Sequence, residues 1–263
     1  MKKPNLFGGP FLPEENKGEK DLTYYRERAL DRSNINLQFL IEKRFTWMND
    51  YIKEDMHGVE IGAGIGVTRD YIKTNNIELT DCYYHPWIDR VVDAMKLPYE
   101  DNSIDFLILS NVIHHVASPV LFFEEAKRVL RKKGFILIND VKCSLVVRIL
   151  FRILNHEGYS YDLDIFDRAL LVNKPDLPWS ANNAVCDLLF SDQERFQNET
   201  GLKIIEDKPV EFFVFLLSGG ISSEFKTIKL NRKILIILDK IDSILSSLSS
   251  IFPLSRQTVI VKE

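Results

Sequence analysis

With 263 residues, 45% of them hydrophobic, the chain can bury a full domain core and is not a disordered tail. A net charge of −4 without a long basic block excludes a sequence-independent grip on nucleic acid phosphates. Three scattered cysteines, Cys82, Cys143 and Cys186, lack metal-ligand spacing and read as reduced thiols of a cytoplasmic protein.

Residues 1–20, rich in Pro, Gly, Lys and Glu, read as a loose arm, and Met1-Lys2-Lys3-Pro4 leads into no apolar signal-peptide core. From 21 to 263 the pattern is that of one domain, with no apolar run near the roughly 20 residues that span a bilayer. Helical periodicity falls around Tyr24–Leu30 and Asn36–Phe45. Val59 to Ile61 reads as the end of a buried strand that leaves through Gly62-Ala63-Gly64-Ile65-Gly66. Glycine there admits positive φ and lets a ligand lie against bare backbone N–H groups. Thr68 to Lys73 reads as helical, which completes the nucleotide-binding corner of an open α/β sheet. The dinucleotide fingerprint would require glycine where the chain has Val67.

Ile77 to Thr80 is a second strand, and Asp81 follows Gly62 by about 20 residues, the interval at which a carboxylate meets ribose hydroxyls. Cys82 to Asp89, interrupted by Pro86, reads as a loop bearing Tyr83, Tyr84 and Trp87, and Arg90–Val92 as a third strand. At its end Asp93 can accept from an exocyclic amine, and Ala94 leaves the backbone accessible. Ile104 to Ser110 is an apolar fourth strand suited to the middle of a parallel sheet. Asn111-Val112-Ile113-His114-His115-Val116 continues from it at the mouth of the same crevice. Ser118-Pro119 opens a helix that ends in cations and Gly134, before a fifth strand at Phe135–Val141.

Residues 144–200 form an insertion of the length that carries binding loops. It contains a helix at Leu145–Leu154 with Arg148 and Arg152, then His156-Glu157-Gly158-Tyr159, and a short helix near Ser191. Val210 to Leu217 reads as a strand and Thr258 to Val261 as the last one. Between them, in a second insertion at 226–252, Ile228–Ile251 reads as an amphipathic helix, apolar at Ile234, Ile237, Leu238, Ile241, Leu245 and Leu248. The two amphipathic helices bury their apolar faces against the domain or a second subunit, or lie on a lipid surface. A homodimer and a peripheral contact with the inner face of a membrane are therefore both open.

From Glu60 to Asp140 the chain resembles the class I S-adenosylmethionine (SAM)-dependent methyltransferases, in particular the type 11 group. The resemblance rests on the G-x-G-x-G turn preceded by Glu60, and on Asp93-Ala94, Leu97-Pro98 and Asp101-Asn102-Ser103-Ile104-Asp105. It also rests on Arg128-Val129-Leu130-Arg131-Lys132-Lys133-Gly134, with Lys132-Lys133 where Pro-Gly is usual. It implies a Rossmann-like, seven-stranded, mostly parallel α/β sheet with helices on both faces and the last strand antiparallel. The implied cofactor is SAM, giving S-adenosylhomocysteine. Glu60, Gly62, Ala63, Gly64 and Gly66 would hold its methionine part, Asp81 its ribose, Asp93 and Ala94 its adenine, and Asn111 would line the crevice. N-terminal helices of that family often fold over the cofactor, which makes Tyr24, Tyr25 and Arg28 lid candidates beside an ordinary packing role. The whole-chain pattern, with His156-Glu157 in the insertion, Asn183-Ala184 before a Phe and Ser218-Gly219-Gly220 before the last helix, is similar to methyltransferases of polysaccharide and lipopolysaccharide gene clusters, which implies a sugar or other small-molecule acceptor.

Methyl transfer from a sulfonium chiefly needs a held in-line geometry, worth roughly 7–11 kcal/mol. A base is needed only where the nucleophile is protonated at neutral pH, as a hydroxyl is. The candidates are His114, His115, His156 and Glu157. No H-E-x-x-H or other ligand spacing is present, so a metal-free reaction is expected, and no G-x-S-x-G elbow supplies a nucleophile. The expected activity is methylation of a hydroxyl on a small molecule or glycan precursor. N- or C-methylation, a SAM-binding partner subunit without catalysis, and a nicotinamide-dependent oxidoreductase are the alternatives.

Overall fold

The computed structural model describes residues 22–154, 157–174, 177, 180–222 and 226–263; the expected N-terminal arm lies outside them. The two N-terminal helices form at Leu22–Leu30 (α1) and Ile35–Thr46 (α2), the second capped by Asn34, whose side chain accepts from the Leu37 N–H. Five strands follow: Gly58–Ile61 (β1), Ile77–Asp81 (β2), Arg90–Val91 (β3), Ile104–Ser110 (β4) and Leu130–Val141 (β5). They pair in parallel, and Ser255–Val261 (β7) enters antiparallel between β5 and Lys203–Val210 (β6), giving the order β3-β2-β1-β4-β5-β7-β6. This is the expected seven-stranded Rossmann-like sheet.

Alternation along the strands feeds two cores. Leu107 and Leu109 of β4 enter one face with Phe122 and Phe123 of Pro119–Val129 (α3), Leu189 of Val185–Phe190 (α5) and Phe196 of Gln193–Thr200 (α6). Phe106 and Ile108 enter the other, with Leu37 and Leu40 of α2, Val214 of Phe213–Ser218 (α7) and Leu235 of Arg232–Leu248 (α8). The insertion opens with Leu145–Leu154 (α4). Arg256 of β7 is buried and ties that insertion to the sheet, donating to Asp207 Oδ1 (2.9 Å), Asp187 Oδ1 (3.0 Å) and the Cys186 carbonyl (2.9 Å).

Four elements differ from the sequence expectation. Thr68–Lys73 is not an α-helix but a single 3-10 turn at Thr68–Asp70, because Asn49 takes the chain out of helical pairing. The Asn49 side chain donates to the Tyr71 carbonyl and accepts from the Lys73 N–H, both at 2.8 Å. Helix α3 ends at Val129, not at Gly134, since Asn102 and Ser103 N–H groups take the Arg128 and Val129 carbonyls (3.0 and 2.9 Å) and β5 starts at Leu130.

Val210–Leu217 is not a strand. Its apolar run closes β6 and becomes helix α7, and the break is Glu211, at φ +61°, a backbone that cannot continue a strand. Its carboxylate takes the buried Arg44 guanidinium of α2 at 3.0 and 2.8 Å. Asp242 of α8 then accepts from the Phe212, Phe213 and Val214 N–H groups at 3.0, 2.9 and 3.0 Å, satisfying the first donors of α7.

The same capping bond orients α8. The helix turns Leu235, Asp242 and Ser246 inward, with Leu238 packed against the core. Ile234, Ile237, Ile241 and Leu248, most of the stripe expected to be buried, face outward, as does Ile244. Among the described residues no helix is long and apolar enough to cross a membrane. We expect Asp242→Ala to lower unfolding stability by about 1–3 kcal/mol, because it strands buried N–H donors. Ile237→Ser on the outward stripe should change stability by no more than about 0.5 kcal/mol. Urea unfolding of both variants checks this, and equal losses would contradict the orientation of α8.

Candidate active site at the carboxyl ends of the strands

Parallel register sets the site. Ile61 lies opposite Thr80 on one side and Leu109 on the other, and Ser110 lies opposite Asn139. The residues that leave these strands, Gly62, Asp81, Asn111 and Asp140, therefore share one edge, where ligands sit in open α/β sheets. Gly62 has φ +68°, and a Cβ there would come within 2.6 Å of Val112, so glycine is what lets the loop after β4 pack against the turn. Gly66 (φ +62°) is covered by Trp87, whose ring a Cβ would strike at 2.3 Å.

The turn is held from three directions. Ala63 N–H donates to the Thr80 carbonyl at 2.8 Å, and Gly64 N–H donates to Asp81 Oδ2 at 2.9 Å. Asp81 Oδ1 accepts from the Tyr83 N–H at 3.2 Å; a carboxylate has about four acceptor sites, so capacity remains for further donors. Trp87 Nε1 donates to the Gly64 carbonyl at 2.7 Å. Arg26 of α1 donates to the Ile65 carbonyl and, at 2.9 Å, to the Gly66 carbonyl, with its guanidinium 4.8 Å from the Trp87 ring.

Arg26 is the contact that sequence reading missed, while Trp87 was read as a loop aromatic without its partner. Of the lid candidates, Tyr25 is buried beside Tyr24, with rings 5.6 Å apart, and Arg28 reaches the Ile221 carbonyl at 3.2 Å. No local spacing signals Arg26, because its partners lie about 40 residues away. Asp93 is exposed on the same edge, its Oδ1 accepting from the Met95 N–H at 2.9 Å, and Ala94 packs partly against the core. Asn111 takes φ +56° and donates its N–H to the Asn139 carbonyl at 2.7 Å.

Glu60 lies under the turn, 1% exposed. Its Oε1 accepts from Thr68 Oγ1 at 2.7 Å, while Oε2 is buried without a hydrogen-bond partner among the described residues. Burial pushes this carboxyl up to about 8, the Thr68 bond opposes the shift, and the Asp81 charge adds to it. A buried carboxyl with one oxygen unpartnered calls for a polar or cationic group from a ligand.

A second cluster begins just past Val112. His114 and His115 lie in a 3-10 turn, with ring centroids 4.1 Å apart. Asp140, at the end of β5, accepts from the Val112 and Ile113 N–H groups through Oδ2, both at 2.9 Å, and from His114 Nδ1 through Oδ1 at 2.5 Å. His115 Nδ1 donates to the Ser180 carbonyl at 3.1 Å, which leaves its Nε2 as the lone-pair nitrogen. Glu157 faces both rings, Oε2 lying 3.6 Å from His114 Nε2 and Oε1 3.8 Å from His115 Nε2.

The insertion is stapled to this turn by asparagines. Asn173 donates to the His114 and Val116 carbonyls at 2.8 and 3.0 Å, and Asn183 donates to Glu157 Oε2 at 3.2 Å. Burial opposes charge on His114, but the Asp140 carboxylate outweighs it and raises the imidazole to about 10. Burial and the neighbouring His114 charge lower His115 to about 4, so it is neutral at pH 7. Burial also opposes the charge of Asp140, yet His114 and the surrounding N–H donors hold it below the ordinary carboxylate value. The structure thus brings three of the four candidate bases together, and His156 lies outside the described residues. Asp140 is the residue sequence reading passed over, although its position at a strand's carboxyl end was a signal.

Residues 59–138 match the family model described as a methyltransferase domain. Over 138 residues the chain is 26% identical to the demethylmenaquinone methyltransferase of Bacillus mycoides, an overlap covering 51% of this chain and 56% of that protein. The chain thus spans little more than half the length of that relative. A SAM-dependent methyltransferase structure from Archaeoglobus fulgidus superposes over 92% of this chain and all of that one, with TM-score 0.52 and 13% identity, a likeness of fold. A Thermotoga maritima SAM-dependent methyltransferase aligns more loosely, at TM-score 0.47 and 17% identity over 92% of this chain and all of that one. Glycine turn and strand order fall where residues 59–138 match a methyltransferase domain, on a sheet whose fold is Rossmann-like, and the cofactor that this match indicates is S-adenosylmethionine.

Proposed function

We propose that the chain transfers a methyl group from SAM to a hydroxyl of a small molecule or glycan precursor, releasing S-adenosylhomocysteine. The observation that supports a protonated acceptor is the His114–His115–Glu157 cluster, held by Asp140 one step past the Val112 that packs on Gly62. The cofactor fits the corner because Glu60 Oε2 is a buried acceptor awaiting a partner and the glycine turn presents backbone without Cβ atoms. When bound, it supplies a methyl group already activated on a positively charged sulfur.

In this reading Glu60 with Gly62, Ala63, Gly64 and Gly66 receives the amino-acid end, Asp81 accepts from the ribose hydroxyls, and Asp93 with Ala94 meets the adenine edge. Asn111 lines the crevice wall. The neutral His115 Nε2 takes the hydroxyl proton as the carbon–oxygen bond forms and the carbon–sulfur bond breaks, and the neighbouring Glu157 carboxylate stabilises the resulting imidazolium. Asp140 is a positioning residue that sets the His114 ring and the loop. Residues 144–200 supply the acceptor side of the single domain. The deciding assay is incubation with methyl-labelled SAM and hydroxyl-bearing sugars, with the labelled product identified by mass spectrometry. Label on oxygen is expected; label on nitrogen or carbon would replace the hydroxyl reading, and SAM binding without transfer would favour a non-catalytic subunit.

Asp81→Ala should weaken SAM binding by about 1–3 kcal/mol, the loss for unpaired hydroxyl donors, as read by calorimetry; unchanged affinity would remove Asp81 from the site. Glu60 gives a pH signature. Its folded value, about 8, lies above the ordinary 4.5, so the folded state holds this proton more tightly. Its contribution to stability is complete below about pH 4.5 and is lost as pH rises through 8. Denaturation midpoints of the ligand-free chain should therefore fall over that window, and Glu60→Gln should flatten the fall. An identical slope in the variant would contradict the assignment.

A further inference from the structure

The sequence offered no metal-ligand spacing because Glu157 lies some forty residues beyond the adjacent histidines. The fold cancels that distance. Single ligand atoms of His114, His115 and Glu157 lie within 4.8 Å of one another. We propose that these three side chains bind a divalent transition-metal ion of the zinc type.

Three features of the geometry carry this. The first is spacing. The His114 Nε2 and His115 Nε2 atoms lie 3.6 and 3.8 Å from the Glu157 carboxylate oxygens. These separations lie close to the edge of a ligand tetrahedron, about 3.4 Å for metal bonds near 2.1 Å, and small side-chain rotations close the difference. The second is polarity. His115 gives its Nδ1–H to the Ser180 carbonyl, and the Nδ1 of His114 meets the Asp140 carboxylate, so the two Nε2 atoms are the ones directed at Glu157. Two ring nitrogens and a carboxylate thus converge on one point, a donor set suited to a cation.

The third is the surrounding shell. Metal-binding histidines almost always give their other ring nitrogen to a carboxylate or backbone carbonyl, and ligating carboxylates are themselves hydrogen-bonded. Asp140, the Ser180 carbonyl and the Asn183 amide, 3.2 Å from Glu157 Oε2, supply those partners here. Two imidazoles and one carboxylate leave coordination positions for an exogenous oxygen, the arrangement of catalytic sites and not of closed structural ones. A hydroxyl in such a position loses its proton more readily. That bearing on catalysis rests on the methyl-transfer reading, and with the ion bound it replaces proton uptake by His115 and Glu157; the binding itself does not rest on that reading.

The test uses the full chain, treated with chelator and dialysed, then titrated with Zn²⁺ by calorimetry and with Co²⁺ by visible absorption. One saturable equivalent is expected, with a ligand-field spectrum of low coordination number, and at least a tenfold loss of affinity in Glu157→Gln and His115→Gln. His57, His85 and His156 remain in both variants, so binding at those imidazoles persists and is subtracted. Absence of a saturable equivalent in the wild-type chain overturns the proposal whatever the variants do. So does unchanged affinity in variants that keep the wild-type circular dichroism. Neither readout depends on methyl transfer, so failure here leaves the SAM assignment standing, and failure of transfer leaves this one standing.

Discussion

The structure depends first on the register of its parallel strands. With Ile61 fixed between Thr80 and Leu109, and Ser110 against Asn139, four chain exits stand side by side. Backbone pairing, not side-chain affinity, thus assembles Gly62, Asp81, Asn111 and Asp140. A one-residue slip would exchange core and solvent faces along a strand, and the dense apolar packing of β4 and β5 on both faces forbids it. The chemistry then needs only the right residue at each exit: glycine where a ligand must approach, carboxylates where donors must be met.

The second organising element is the buried carboxylate of Asp140. It takes the backbone of the turn after β4 and one histidine ring at once, so ring orientation and loop position are set by one side chain. Asparagines of the insertion complete the frame by reaching backbone carbonyls of the same turn. The insertion is therefore coupled to the carboxyl edge of the sheet through hydrogen bonds between groups shielded from water, where each bond is costly to lose. Asp242 plays a parallel structural role on the opposite face, orienting α8 by capping α7 and leaving a row of isoleucines outside.

How much of this was legible in the sequence follows from how local each cause is. The strands around Val59, Ile77 and Ile104 were readable from apolar runs bounded by turn residues, and the Gly62–Gly66 turn from its spacing. Val210–Leu217 was misread because an apolar run does not distinguish strand from helix; the decision was made by Glu211 meeting Arg44 and by Asp242 capping from another element. Periodicity marked α8 as amphipathic but not which stripe would be covered, since that was settled by the buried Asp242. That Asp81 stands beside the glycine turn could be read from its distance to Gly62. Arg26 could not be found that way, because its partners lie about 40 residues away on another element.

The central claim is that the Gly62–Gly66 turn and Asp81 form the seat of S-adenosylmethionine. Amide hydrogen exchange across residues 59–68, followed with and without the cofactor, tests it most directly. Slowed exchange at Gly62, Gly64 and Gly66 with SAM, and none with a nicotinamide dinucleotide, is the predicted result. Protection by the dinucleotide alone, or an unchanged turn in a chain shown by calorimetry to bind SAM, would contradict it.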